Sequence, residues 1–295
     1  MNSQIFGNKK SIIETKSHIS YGRTVKMIFV YLLLIIISIF FLIPLVWMIS
    51  TSLKPLNELY SVTPHFIPKN IMWSNYKDAV NSIPFFVYLR NTLIYAVVAT
   101  FGVTVSSFIV AYGFSKIDWK GREFLFFVLL MTMMLPPQVT MIPVYIIFKH
   151  LGWVNSLRPL IIPSFFGSAF YIFLTRQFML TIPNEFCDSA RIDGANEWQI
   201  LWKIMAPMCR PIVWTIIVFN IVGTWNDFMG PLIYLNDESK YTLSLGLQQF
   251  MGAHSTLWNE LMAASVLTTI PMIILFFFSQ KTMLEGITLS GGIKQ

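Results

Sequence analysis

Long uncharged stretches separated by short polar connections set the pattern of this chain. From Met27 to Leu53 no residue is charged, and about 20 apolar residues suffice to cross the hydrocarbon of a bilayer. The stretch is too long for the apolar part of a signal peptide, and no small-x-small cleavage site follows it, so it reads as a retained anchor. Five more candidate spans follow at Asn91–Ser115, Glu123–Phe148, Pro159–Phe178, Pro211–Leu235 and Leu261–Gln280. The ten-residue alternation of barrel strands is missing. Backbone groups in lipid must be satisfied within helices or closed barrels. The expectation is therefore an all-α membrane protein of six transmembrane helices. A cytoplasmic arm (1–26) precedes the six-span domain (27–282), and a short tail (283–295) follows it.

Charge then fixes the orientation. With the N-terminus inside, the inner segments hold twice as many of the 21 Lys and Arg residues as the outer ones. That bias puts both termini in the cytoplasm. Only 12% of residues are charged against 55% hydrophobic, where a soluble domain carries about 25% charged residues. The net charge of +7 is thus a topology signal. No stripe of alternating basic and aromatic residues accompanies it, so nucleic acid is not an expected partner and membrane lipid is. Cys187 and Cys209 both fall inside without CxxC spacing and read as free thiols. His18, His65, His150 and His254 are scattered, so no metal site is expected.

Two connections stand out. Leu135-Pro136-Pro137-Gln138, with Pro143 beyond it, removes backbone donors in the middle of the third span and predicts a kink. Carbonyls freed there must meet neighbours or a cavity, so Pro136, Pro137 and Gln138 are candidates for lining a pathway as well as for shaping the helix. The second is the inner loop 181–211. Pro183 precedes Asn184, a good N-cap, and Glu185 follows in the first turn. That helix should stop at Gly194, where a left-handed residue is needed. Asn196 can cap a second helix ending near Pro207. A helix, a glycine turn and a second helix therefore project into the cytosol.

On these residues the loop resembles the coupling loop of binding-protein-dependent ABC importer permeases, whose pattern is E-A-A-x-x-x-G-x9-I-x-L-P. Asp188, Ser189 and Ala190 stand at the first three positions. Gly194 follows in register, and then Ile204, Met205, Ala206 and Pro207. Asp for Glu, Ser for Ala and Ala for Leu are the departures. The resemblance implies a type I ABC importer permease-like bundle whose loop docks in a cleft of a separate ATPase. The small face of Ser189 and Ala190 would allow a deep seat, and Asp188, Arg191 and Asp193 would pair with the partner and fix register. Ser52-Leu53-Lys54-Pro55, Leu135–Gln138 with Ile142-Pro143, Gly223–Phe228 with Pro231-Leu232, and the tail Gly286–Lys294 are similar to the carbohydrate branch, in the second permease subunit of maltose-type transporters. The implied partners are a homologous second permease, two ATP-binding subunits and an extracytoplasmic sugar-binding protein. The outer loop Asn236–Asn259 would reach toward that binding protein, and the tail would touch the ATPases.

Within the fifth span, Trp225-Asn226-Asp227-Phe228 lies roughly 20 Å from Pro211 at the helical rise. A carboxylate at that depth is costly and should face the bundle interior or a wet path. Two roles stand side by side: hydrogen bonding to a hydroxyl-rich substrate, or a polar staple between helices. In maltose-type systems the main sugar contacts lie on the other permease, which leaves both open.

No G-x-x-x-x-G-K-[ST] occurs, so the chain has no phosphate cradle of its own. No bound cofactor is expected, and ATP with Mg²⁺ belongs to the partner ATPase. Catalytic residues are not expected either. A self-contained secondary carrier or channel is the alternative. It predicts several paired charges at mid-membrane depth and an internal repeat, whereas only Asp227 is deep and no repeat stands out. An intramembrane enzyme built on Asp188, Asp193 and Glu197 would lack a supporting histidine.

Overall fold

The structure, a computed structural model, describes residues 21–61, 65–252 and 256–292, with side chains between 25 and 280. Most of the arm and the last residues of the tail lie outside that range, as does any side-chain contact of the tail. Helices account for all regular structure among the described residues, apart from one bridge pairing Met251 with Thr256. Four helices are long and apolar enough to cross a membrane, and two sharply bent pairs bring the number to six.

The first span, α1 (Tyr21–Ser52), begins inside the stretch expected to be the arm. Its membrane window has a mean hydropathy of 3.0, and none of it is buried within the chain. A short helix α2 (Ser74–Ser82) leads into the second span, α3 (Phe85–Ser115). Helix α3 is the axis of the fold. Ala96, Ala99, Val103, Phe108 and Ala111 are buried along it, and small residues let neighbouring backbones approach closely. At Gly102 a Cβ would sit 2.7 Å from the Phe165 ring, so only glycine admits that ring.

The third span is not one kinked helix. It is two helices, α4 (Arg122–Thr132) and α5 (Pro137–His150), bent by 95°. Pro136 and Pro137 supply no N–H, and each disfavours helical geometry in the residue before it. Pro136 accordingly adopts φ −61°, ψ 134°. Pro143 is carried inside α5. The fourth span is also broken. A turn at Arg158–Ile161 and a 3-10 stretch (Ile162–Phe166) end at Gly167, with φ +84°, before α6 (Ala169–Leu180). Serines of α3 satisfy the break: Ser106 donates to the Ser164 carbonyl at 3.2 Å, and Ser107 Oγ accepts from Ser168 N–H at 3.1 Å.

Helices α7 (Glu185–Ile192) and α8 (Glu197–Met208) form the loop before the fifth span. Pro207 offers no N–H to the carbonyl four residues earlier, and α8 widens to a π-helix over Ile200–Met205. A 78° bend joins α8 to α9 (Arg210–Trp225). The expected span to Leu235 stops there. Asn226–Phe228 leave the helix, and the short α10 (Met229–Tyr234) follows. The sixth span, α11 (Trp258–Gly292), packs on α1, α2 and α9 and carries helical backbone into the region expected to be the tail.

Candidate coupling and translocation site

The candidate side chains lie in the loop 181–211, at the break Asn226–Phe228 and at the α4–α5 bend. At the loop, Gly194 has φ +86°, the left-handed geometry expected of it. Ala195 N–H donates to Ala190 C=O at 2.9 Å and Gly194 N–H to Arg191 C=O at 3.1 Å. These two bonds close α7 with a Schellman turn. Asn196 caps α8 in a reciprocal box with Gln199, both bonds at 2.9 Å. Asn184 does not cap α7 with its side chain. Its backbone is already helical, and its Oδ1 accepts from Lys116 Nζ at 2.7 Å. A long-range cation has displaced the local bond.

The charges of the loop serve each other. Arg191 pairs with Asp188 at 2.8 Å and with Glu197 at 2.9 Å, and donates to the Lys116 carbonyl at 3.2 Å. Tyr112 donates to the second oxygen of Glu197. The Arg191 guanidinium holds the Glu197 carboxyl below the usual range, with the Tyr112 hydroxyl adding to it. Burial lowers the pKa of Lys116, whose ammonium also reaches the Ile182 carbonyl at 2.6 Å. Asp188 and Arg191 are therefore committed within the chain, and Asp193 is exposed.

The small face expected at Ser189 and Ala190 is split. Ala190 is 8% exposed and packs with Cys187, Ile200, Met205 and Cys209. Ser189 faces out beside Phe186 (50% exposed) and Ile192 (86%). The open face of α7 is thus partly apolar. Phe186, Ser189 and Ile192, three residues apart, fall on a side of the helix adjoining the one that carries Cys187 and Ala190. Ile204 and Pro207 lie in α8, Ile204 packing onto the same inner core as Ala190. The inner end also gathers Lys116, Arg122, Arg176 and Arg191, the cations that the charge bias assigns to the cytoplasm. Arg176 is paired with Glu123 at 2.8 Å and lies 4.1 Å from the Phe126 ring.

At the break in the fifth span, Asp227 Oδ2 accepts from Tyr95 OH of α3 at 2.9 Å, and Oδ1 accepts from Gly230 N–H at 3.0 Å. The carboxylate thereby supplies the acceptor that the first turn of α10 lacks. Ser244 donates to the Asp227 carbonyl at 2.5 Å. A Cβ on Gly230 would meet Asp227 Oδ2 at 2.5 Å and Leu160 at 2.9 Å. Trp225 is buried, and its Nε1 donates to Thr268 C=O on α11 at 3.1 Å. Asn226 is exposed and returns its amide to Val222 C=O. Phe228 packs beside Tyr95 and Leu160. Pro136, Pro137 and Gln138 are exposed at the α4–α5 bend. The sequence does not mark Tyr95, Tyr112 or Lys116, whose side-chain contacts lie 66 or more positions away along the chain, and it offers Glu197 only as part of an acidic group, not as the partner of Tyr112 and Arg191.

Known proteins frame this geometry. Residues 102–286 match the family described as binding-protein-dependent transport system inner membrane component. The arabinooligosaccharides transport system permease protein AraQ of Bacillus subtilis (strain 168) is 33% identical over 267 residues, 89% of this chain and 94% of that one. The maltose/maltodextrin transport system permease protein MalG of Photorhabdus laumondii is 26% identical over 288 residues, 91% of this chain and 96% of that one. A chain in the crystal structure of a bacterial ABC transporter involved in the import of the acidic polysaccharide alginate superposes with a TM-score of 0.75 at 28% identity. The match covers 89% of this chain and 98% of that chain. With a six-span helical bundle, a glycine-turned inner loop and these relatives in agreement, the chain belongs to the family of binding-protein-dependent transport system inner membrane components, a permease of the cell membrane and not an enzyme.

Proposed function

We propose that this chain is one of two permease subunits of an ATP-driven importer of mono- or oligosaccharides. The loop carries the reading: two helices joined at Gly194, held to the cytoplasmic end of α3, with Phe186, Ser189 and Ile192 facing out. Relatives named for arabinooligosaccharides, maltodextrin and diacetylchitobiose support a sugar as cargo. A homologous permease completes the path, two ATPase subunits bind ATP and Mg²⁺, and an extracytoplasmic binding protein delivers the sugar. When the ATPases close on ATP they press on α7, the permease pair opens outward, and hydrolysis returns it to the inward-facing state.

In this reading the open face of α7 docks in the ATPase cleft, with its apolar pair supplying the contact. The Asp188–Arg191–Glu197 cluster shapes the loop and does not pair across the interface. Asp227 holds α10 to α3 and so sets the shape of the path, while the exposed Asn226 and the Pro136–Gln138 bend offer polar surface to cargo. The test is to purify the chain through an N-terminal tag after co-expression with the products of neighbouring genes. Recovery of a second six-span permease and a P-loop ATPase, with ATP-dependent sugar uptake in vesicles, is the expected result. Recovery of this chain alone as a transporting homo-oligomer without an ATPase would overturn it in favour of a secondary carrier.

A further inference from the structure

We infer that α3 is a rigid rod tying the cytoplasmic loop to the outer loop, and that Lys116 and Tyr112 are the positioning residues that clamp its inner end. The inference rests on the importer reading above.

Rigidity comes first. The third, fourth and fifth spans are broken, and α1 and α11 carry Pro44 and Pro271. Helix α3 runs unbroken through Phe85–Ser115 without a proline. It is also the most deeply packed helix, and buried helices of this kind move as units because close-packed interiors do not deform continuously.

Its ends are both tied by side chains. At the inner end, Lys116 reaches the Ile182 carbonyl and Asn184 Oδ1 at the start of α7. One turn earlier, Tyr112 holds Glu197, which holds Arg191 near the end of α7. Arg191 closes the loop on the Lys116 carbonyl. A single turn of α3 therefore grips α7 at both of its ends, and a push on α7 is a push on α3. At the outer end, buried Asn91 donates to the carbonyls of Ser239 and Tyr241 at 2.9 and 3.0 Å. Thr92 Oγ1 accepts from Leu243 N–H at 2.8 Å, and Tyr88 donates to Gln249 at 3.1 Å. Between the ends, Tyr95 and Thr100 bind Asp227 and Asn220 of the fifth span. From Thr92 to Lys116 the rod measures about 36 Å at the helical rise. Displacement of α7 by the ATPases would thus arrive both at the break beside Asp227 and at the outer loop without passing through the broken helices.

The test uses the complete co-expressed complex in vesicles. Glu238 is exposed in the outer loop, and the native Cys187 and Cys209 are buried, so Glu238→Cys is a single reporter for a membrane-impermeant maleimide. Its labelling rate is measured with and without MgATP plus vanadate. In the parent, trapping the nucleotide state should change the rate. In Lys116→Met, and in Tyr112→Phe as the milder variant, that change should be lost when scaled to the nucleotide each complex traps, and Lys116→Arg should restore it. A nucleotide-dependent change of parental size in both variants would overturn the rod, as would a parent that hydrolyses ATP without any change at the reporter. Absence of an ATPase from the complex would instead overturn the proposed function.

Discussion

Replacing Gly194 offers a graded test of the loop. Its φ of +86° lies where a Cβ crowds the following carbonyl, at a cost of about 1–2 kcal/mol for an L-residue. No heavy atom comes within 4 Å of where that Cβ would sit, so sterics against neighbours add nothing and the backbone term stands alone. A loss of ~1–2 kcal/mol shifts the equilibrium between the closing turn and its alternatives by a factor of about 5–30. Asn tolerates the left-handed region better than other L-residues, and Val is stiffer than Ala. Pro holds φ near −65° and removes the N–H that donates to Arg191 C=O. Sugar uptake and stimulated ATP hydrolysis by the assembled complex should therefore fall in the order Gly, Asn, Ala, Val, Pro, while recovery of the complex stays level through Ala. Equal activity of Gly and Val, or an Asn variant worse than Val, would refute the claim that the turn's handedness sets the loop.

Phe186→Ser with Ile192→Ser should leave the permease inserted but reduce the ATPase recovered with it, measured by co-purification; undiminished recovery would remove the apolar face from the interface. Asp227→Leu should lower the Tm of the purified complex, because two hydrogen bonds to a charged acceptor are lost at about 1.5–3 kcal/mol each, and Tyr95→Phe should lower it by less. Gly230→Ala should destabilise by roughly 1–3 kcal/mol through overpacking against Asp227 and Leu160, and an unchanged Tm would contradict the close approach. Acid should weaken the loop: Glu197 has its pKa depressed by Arg191, so its contribution is present at neutral pH, above the ordinary carboxylate pKa, and is lost as pH falls through the lower folded value. The protection of α7 against hydrogen exchange, taken relative to the intrinsic rate at each pH, should fall on acidification in the parent and stay level in Glu197→Gln.

Periodicity and turn chemistry carried most of the architecture. Gly194 in left-handed geometry and the Asn196 cap follow from local rules and the structure holds both, while the six apolar stretches become four spanning helices and two sharply bent pairs. What local rules missed was decided at a distance. Asn184 had a cap available to it and gave its oxygen to Lys116 instead, 68 positions away. Asp227 was legible as a deep carboxylate, but the break it sustains depends on Tyr95, 132 positions away. Ala190 matched a docking pattern by position, yet which side of α7 faces the chain is settled by the π-helical stretch of α8 against which Cys187 packs. The two prolines at 136 and 137 predict a kink, and the 95° bend exceeds that because two consecutive donors are missing.

The arrangement of α1 has a bearing on biogenesis. Its extensive helix partner is α11, which starts at Trp258, whereas α1 ends at Ser52. At a synthesis rate of about 5–20 residues per second, roughly 10–40 s separate the emergence of the two segments from the ribosome. Throughout that interval the first span has bilayer on nearly every side. A helix with one polar stripe would be a target for quality control during such a wait. The uncharged, strongly apolar middle of α1 thus suits the nascent chain as much as the finished transporter.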